Sequence, residues 1–144
     1  HGTSYLVTVK TGLTDKAGNA LASASTWNFT TTSNWSGTKQ LGTGARDSGN
    51  GITSDSSGNV YVTGGTSHGL DGNTSAGSND LFVVKYDSSG AKQWTQQLGT
   101  SSTEYAYDIS TDSSGNVYVT GATEGDLDGN GNAGSEDIFI MKLK

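Results

Sequence analysis

Short runs of Val, Ile, Leu, Tyr and Phe, separated by clusters of Gly, Ser, Asn and Asp, are the dominant pattern along this chain of 144 residues. Apolar runs of this length, bounded by turn-forming residues, predict β-strands rather than helices. The recurring tetrapeptide "DSSG" is typical of a tight turn, because Asp and Ser bond to nearby backbone groups and Gly tolerates a left-handed conformation. We therefore expect an all-β protein with almost no helix.

An internal repeat organises most of the chain. The segments that begin at Gln40 and Gln97 align without a gap, at an offset of 97 minus 40, or 57, residues, and the block "DSSGNVYVTG" occupies 55–64 and again 112–121. The first repeat predicts four short strands: one ending at 52–55, a second at 60–63, a third at 80–86 and a fourth at 92–99. Four antiparallel strands in each repeat are typical of one blade of a β-propeller.

The segment before the repeats has a different pattern. Residues 5–31, "YLVTVKTGLTDKAGNALASASTWNFTT", contain one alternating strand, a connection and a second alternating strand at 26–31. An isolated two-stranded hairpin is marginal in water, so we expect these strands to pair with something further, either in the same protomer or in a neighbour. We divide the chain into a hairpin segment at 1–33 and two repeats within 34–144, at about 40–96 and 97–144.

Several motifs carry a resemblance to known families. "WTQQLGT", "DSSGNVYVTG", "LDGN…AG" and "DLFVVKYDSSG" together resemble the bacterial SBBP β-propeller repeat, and "TDKAGNAL" with "WNFTT" resembles the last two strands of a bacterial Ig-like domain. The resemblance implies propeller-type blades in a large secreted or surface protein. It implies a structural or interaction role and little about an activity.

The two ends of the repeat region are complementary. The second repeat reaches Lys144 after its third strand, while a lone equivalent of the fourth strand, "WSGTKQLG" at 35–42, precedes the first repeat. Two blades do not close a ring. Either the chain is a piece of a longer polypeptide with further domains, or several copies exchange strands and so close a ring or extend a filament.

The loop "DLDGNGNAGSED", residues 126–137, has the alternating carboxylates and amides of a calcium-binding loop. Ca²⁺ takes about six to eight oxygen ligands, and alternate side chains of a curled glycine-containing loop point inward together. The predicted ligands are Asp126, Asp128, Asn130, Asn132 and Asp137. We expect such a calcium ion to brace the loop and not to catalyse a reaction.

The equivalent loop of the first repeat keeps Asp71, Asn73 and Asp80 but has Gly69 where the second loop has Asp126. We expect it to bind calcium more weakly or not at all. The alternative for both loops is that Asp and Asn side chains only make turns with the backbone.

Charge and composition narrow the setting. The chain has 8 basic and 14 acidic residues and a formal net charge of −6, so we expect no nucleic-acid partner. No apolar run approaches the roughly 20 residues of a membrane span, and no signal segment opens the chain. Abundant Ser, Thr, Asn and Gly with little Lys favours a secreted or cell-surface location.

No catalytic pattern is present, because the chain has neither a Ser elbow with His and Asp partners nor a general acid–base pair. We expect it not to be an enzyme. One specific enzymatic alternative is a copper site built from His1 and His68, although nothing in the sequence brings those two residues together.

Two further features are candidates for ligand contact. Tyr105 and Tyr107 replace Ser48 and Asn50 of the first repeat, so they are candidates for an exposed contact with sugar or protein, with ordinary packing as the alternative. The sequons at Asn28, Asn34 and Asn73 are candidate glycan acceptors.

Taken together, these features predict an extracellular structural module that serves adhesion, surface architecture or self-assembly. The alternative is a carbohydrate- or protein-binding module of a larger secreted protein.

Overall fold

The computed structural model describes residues 3–20, 22–31 and 35–144, and these divide into two compact units, His1–Asn34 and Trp35–Lys144. The described residues form antiparallel β-sheets and no α-helix, with a single short 3₁₀ turn at Leu127–Gly129. The predicted all-β fold is confirmed.

The first unit is a two-stranded hairpin. Strand β1 (Thr3–Val9) pairs with β2 (Ser25–Thr31), and Val7 lies opposite Trp27. Leu6 and Trp27 are both more than half exposed. Whether these strands pair with a further element stays a prediction.

The second unit begins with a complete four-stranded blade, hereafter blade 1. Its strands are β3 (Asp47–Ser54), β4 (Val60–Thr66), β5 (Asp80–Tyr86) and β6 (Lys92–Leu98), and they lie in the sheet in that order. The third strand has the predicted bounds. The first begins earlier than its apolar residues indicated, because polar residues from Asp47 onward also pair with β4.

Blade 2 contains three strands, β7 (Glu104–Thr111), β8 (Val117–Thr123) and β9 (Asp137–Leu143), again in chain order. The pairing register repeats that of blade 1, since Val119 lies opposite Met141 as Val62 lies opposite Val84. Each blade also has a bulge at the equivalent place in its first strand, between 49 and 51 and between 106 and 108. The sequence repeat is therefore a repeat of backbone geometry.

Residues 35–42, the expected equivalent of a fourth strand, form no strand in the described structure. Trp35 and Leu41 instead pack against apolar residues of blade 1, and the Trp35 ring lies 5.7 Å from that of Tyr86. A strand needs a neighbouring backbone to pair with, and no sheet edge meets this segment in the described residues.

Strand β5 is buried on both faces and separates two apolar clusters. Because side chains alternate along a strand, Leu81 and Val83 join the cluster between the blades, whereas Phe82, Val84 and Tyr86 join the one under Trp35 and Leu41. Two-sided burial explains why "LFVV" is an unbroken apolar run.

The seam between the blades also contains hydrogen bonds. Asn50 Nδ2 donates to the Ala106 carbonyl at 2.8 Å, and the Glu104 backbone N–H donates to the Asn79 carbonyl at 2.8 Å. Asn79 Nδ2 in turn donates to the Glu104 carbonyl at 2.6 Å. These bonds and the apolar cluster fix blade 2 on blade 1.

The predicted tight turns share one construction. An aspartate carboxylate accepts the backbone N–H groups two and four residues later, and a glycine three residues later has a positive φ between 77° and 86°. The four aspartates are Asp15, Asp55, Asp87 and Asp112. Burial raises the pKa of Asp55, but hydrogen bonds outweigh it, and hydrogen bonding lowers the pKa of all four carboxyl groups below 3.8.

The lowered pKa values of these four aspartates predict that the fold loses stability at acidic pH. Hydrogen bonds, first of all from the Asn116 side chain, lower the pKa of Asp112 from 3.8 to about 2. A lowered carboxyl pKa contributes stability that is present above the unfolded-state value and is lost as the pH falls through the folded value. We expect the free energy of unfolding in urea to be constant above about pH 5 and to fall toward pH 2.

Asp112→Asn should lower the free energy of unfolding at pH 7. It should also reduce the loss of that free energy between pH 5 and pH 2, because the carboxyl group at position 112 no longer contributes to it. Ser114→Ala is the matched control, because the backbone N–H of residue 114 still donates to Asp112. An unchanged pH slope in Asp112→Asn would contradict the assignment.

Candidate functional site

In the long loop of blade 1, between β4 and β5, the predicted calcium ligands make contacts within the protein, and calcium binding by this loop stays a prediction. Asp71 forms an ion pair with Lys92 and accepts a hydrogen bond from Thr95 Oγ1 at 2.8 Å, and the bond from Lys92 lowers the pKa of Asp71. Asn73 Nδ2 donates to the Leu70 carbonyl at 2.8 Å. Both side chains are thus committed to the loop itself and to β6.

Asp80, the third predicted ligand of that loop, is completely buried at the start of β5. Its Oδ2 accepts from the Ala76 backbone N–H at 2.8 Å and from Gln97 Nε2 at 2.7 Å. Gln97 Oε1 also accepts the Leu70 N–H at 2.7 Å, so this one side chain of β6 ties the loop to both Leu70 and Asp80.

In the second loop, the side chains bond to backbone amides of the loop. Asp126 Oδ1 accepts the Gly131 N–H at 2.6 Å, Asp137 Oδ2 accepts the Ala133 N–H at 2.6 Å, and Asn132 Oδ1 accepts the Gly134 N–H at 2.9 Å. These are the turn contacts of the alternative interpretation, although each carboxylate keeps a second oxygen.

Asn130 Nδ2 donates to the Leu127 carbonyl at 2.9 Å, and Asp128 has a φ of 56°. Among the described residues no three His, Cys, Asp or Glu side chains meet as a metal site. Calcium binding by this loop stays a prediction.

The second loop borders an open groove of about 470 Å³ whose lining includes Asp128, Asn130, Asp137, Ile138 and Ile140. The groove lies along β9, the last strand of blade 2. Predicted ligands and exposed apolar residues therefore share one surface.

The apolar part of this surface is the outer face of blade 2, defined by Ile138 and Ile140, which are 89% and 78% exposed. Their equivalents one repeat earlier, Leu81 and Val83, are 1% and 0% exposed because blade 2 covers them. One sheet face is thus buried in blade 1 and bare in blade 2.

On the other side of blade 1 lies a groove of about 400 Å³, lined by Trp35 and Leu41 together with Ile52, Val62 and Phe82. We call this the inner face of blade 1. In blade 2, the equivalent face of the sheet carries Phe139 and Met141 of β9, and it packs on blade 1.

Tyr105 and Tyr107 form a parallel pair, with ring centroids 6.3 Å apart and an interplanar angle of 11°. They are 39% and 53% exposed. The rings are accessible, and their contact with sugar or protein stays a prediction.

The candidate glycan acceptors differ in accessibility. Asn28 is exposed on β2, whereas the Asn73 side-chain nitrogen, which would carry the sugar, is engaged in hydrogen bonding. Asn34 and His1 lie outside the described residues, and His68 is exposed in the first long loop. Glycosylation and the copper alternative are untested expectations.

Sequence reasoning missed one feature. At the start of the first strand of each blade, a carboxylate accepts hydrogen bonds from threonines. In blade 2, Glu104 Oε1 accepts from Thr100 Oγ1 at 2.6 Å and from Thr123 Oγ1 at 3.0 Å, and Oε2 accepts the Thr100 N–H at 2.8 Å. Blade 1 builds the same arrangement from Thr43, Asp47 and Thr66.

Burial opposes ionisation of Asp47, but hydrogen bonds from Thr66 and Thr43 outweigh it and lower the pKa of Asp47. The available signal was the shared "GT" at 42–43 and 99–100, followed four residues after the Thr by an acid.

Comparison with known proteins is consistent with this architecture. The family model for the SBBP β-propeller repeat matches residues 37–71 and 93–128, and the model for a bacterial Ig-like domain matches residues 1–31. A search of curated proteins returns no match. No helix in the described part of the chain has the length and apolar character needed to cross a membrane.

Each matched segment begins within a fourth-strand position and ends in a long loop, so it covers the first two strands of a blade, while β5 and β9 lie outside the matches. The Ig-like match covers the hairpin. The chain therefore carries two segments of the SBBP β-propeller repeat behind a segment of a bacterial Ig-like domain, and this combination indicates a bacterial surface or secreted module.

Proposed function

We propose that this chain is a non-enzymatic structural module that self-associates outside the cell by stacking and strand exchange between copies. The observation that carries the proposal is the bare outer face of blade 2, since Ile138 and Ile140 repeat positions that are fully buried in blade 1. Apolar side chains this exposed, at positions built for burial, mark an interaction surface.

The proposed occupant is the inner face of blade 1 of a second copy. Within the chain, Leu81 and Val83 on the outer face of blade 1 pack against blade 2. This contact between the two blades is the model for the proposed contact between copies. The same contact between copies would cover Ile138 and Ile140, with Ile52 and Val62 of the second copy as part of the opposing surface.

Strand exchange would complete the contact. Strand β9 pairs with β8 alone among the described strands, whereas its equivalent β5 pairs with both β4 and β6. Residues 35–42 are the repeat equivalent of β6, and Gln40 stands where Gln97 holds Asp80. In a stacked assembly this segment would add to the free edge of β9, and Gln40 would reach Asp137 of the neighbour.

The two faces in this contact are different surfaces of the molecule, so the association is head-to-tail. Such contacts give a ring when the rotation closes and a filament when it does not. Calcium bound in the loop at 126–137 would stiffen the surface beside β9, which is the role we assign to it here.

The test is the native mass of the purified chain, measured by light scattering on a sizing column over a range of protein concentrations. We expect discrete multimers or polymers for the wild type and monomers for the double variant Ile138→Lys/Ile140→Lys, because a buried unpaired charge opposes the contact. Leu13→Lys is the matched control, since Leu13 is an exposed apolar residue of the other unit.

Gln40→Ala tests the strand exchange and should weaken assembly without changing the fold. A wild type that stays monomeric at every concentration, or a double variant that assembles like the wild type, would contradict the proposal.

A further inference from the structure

Two carboxylates from different blades meet at the seam between them. Asp80 is the first residue of β5 and Glu104 is the first residue of β7, and both are 0% exposed. Among the described residues the one ion pair is that of Lys92 with Asp71, so neither buried acid has a basic partner. Paired burial of two acids without a cation is unfavourable if both are ionised.

Gly99 shows how close the two groups are. A Cβ atom built on Gly99 would overlap Asp80 Oδ1, and it would lie 2.5 Å from Asp80 Cγ and 2.9 Å from Glu104 Oε2. Both carboxylates therefore lie against the same side of this residue. Glycine is required here because any side chain would occupy the space that the two acids share.

Both carboxyl groups accept several hydrogen bonds. Glu104 accepts three bonds, two from Thr100 and one from Thr123, and Asp80 Oδ2 accepts two, from Ala76 and Gln97. The Ser102 N–H donates to Thr100 Oγ1 at 3.1 Å, which leaves the hydroxyl proton of Thr100 free to be donated to Glu104.

One oxygen of the pair has no partner. Asp80 Oδ1 is buried and makes no hydrogen bond in the described structure. A buried polar oxygen without any partner is costly, and a bound ligand would explain it. Its position beside Glu104 Oε2 places a second acidic oxygen next to it.

We infer that the seam between the blades binds a divalent cation, Ca²⁺, through Asp80 Oδ1 and Glu104 Oε2. Calcium is a hard ion that prefers oxygen ligands at about 2.3–2.6 Å, and it takes backbone carbonyl oxygens and water besides carboxylates. The site differs from the predicted loop site, because Asp80 is joined by Glu104 of the next repeat and not by Asp71 and Asn73. It lies within one chain and does not rest on self-association.

The experiment is calorimetric titration of the calcium-depleted chain with CaCl₂, combined with thermal unfolding at increasing CaCl₂. We expect binding by the wild type and a melting temperature that rises with calcium concentration, since a ligand that binds only the folded state stabilises it. Asp80→Asn and Glu104→Gln keep the side-chain shapes and should weaken binding at least tenfold. Asp126→Asn, at a predicted ligand of the loop, should leave the binding that depends on Asp80 and Glu104 in place, and so distinguishes the two sites.

Circular dichroism spectra identify any variant that fails to fold, and the second isosteric variant then carries the test. Binding that is lost in Asp126→Asn and kept in Asp80→Asn and Glu104→Gln would overturn the inference and support the loop site. No binding of calcium by the wild type would also overturn the inference.

Discussion

Truncating Leu81 to Ala is expected to lower the free energy of unfolding by about 2–5 kcal/mol, whereas Ile138→Ala should change it by less than about 0.5 kcal/mol. The two positions are equivalent in the repeat. They differ because Leu81 is 1% exposed in the cluster between the blades and Ile138 is 89% exposed. The two substitutions remove a similar apolar volume. The difference between their losses of unfolding free energy therefore measures what burial between the blades contributes to stability.

The measurement is urea unfolding followed by tryptophan fluorescence, at a protein concentration low enough to keep the chain monomeric. Equal losses for the two variants would mean that blade 2 does not cover Leu81 in solution. At high concentration Ile138→Ala should become destabilising, because assembly would then bury the position.

Gly64→Ala is expected to cost about 3 kcal/mol, at the upper end of what an added atom costs in a packed interior. A Cβ atom on Gly64 would overlap the carbonyl oxygen of Ser48 and lie 2.8 Å from its carbonyl carbon. The obstacle is backbone of the paired strand, which cannot rotate away as a side chain does. Strands β3 and β4 would have to separate beside the bulge.

The matched control is Gly44→Ala, where an added Cβ meets nothing within 4 Å. Gly121→Ala tests the same contact in blade 2, since a Cβ there would overlap the Tyr105 carbonyl oxygen. Chemical unfolding of the three variants measures the losses. A stability of Gly64→Ala close to that of Gly44→Ala would show that the strands separate at little cost.

The spacing of apolar residues predicted the strands that have buried apolar side chains. The run "DLFVVKY" predicted β5 at its observed bounds, because both of its faces are buried and every central residue is apolar. The start of β3 was missed since "DSGNG" contains no apolar residue, and it pairs through backbone groups that no side-chain pattern reports.

The contacts of the acidic side chains were harder to predict, because the spacing of residues in a loop describes that loop in isolation. Asp71 forms an ion pair with Lys92 of β6, and Asp80 lies beside Glu104 of the next blade. Both contacts depend on how strands pair and blades stack, over separations that a motif of twelve residues does not span.

Because the two repeats align without a gap, further copies of the repeat can be inserted into the chain in the same register. A further copy of residues 40–96 inserted after residue 96 would place a complete blade between the present two, and each added junction would contain a copy of the loop at 42–46, the repeat equivalent of the loop at 99–103 that now joins β6 to β7. The inner face of the first blade and the outer face of the last blade would be unchanged, while the number of seams between blades would grow by one with each insertion. Stability should then rise in nearly equal steps with blade number, as in other linear repeat arrays.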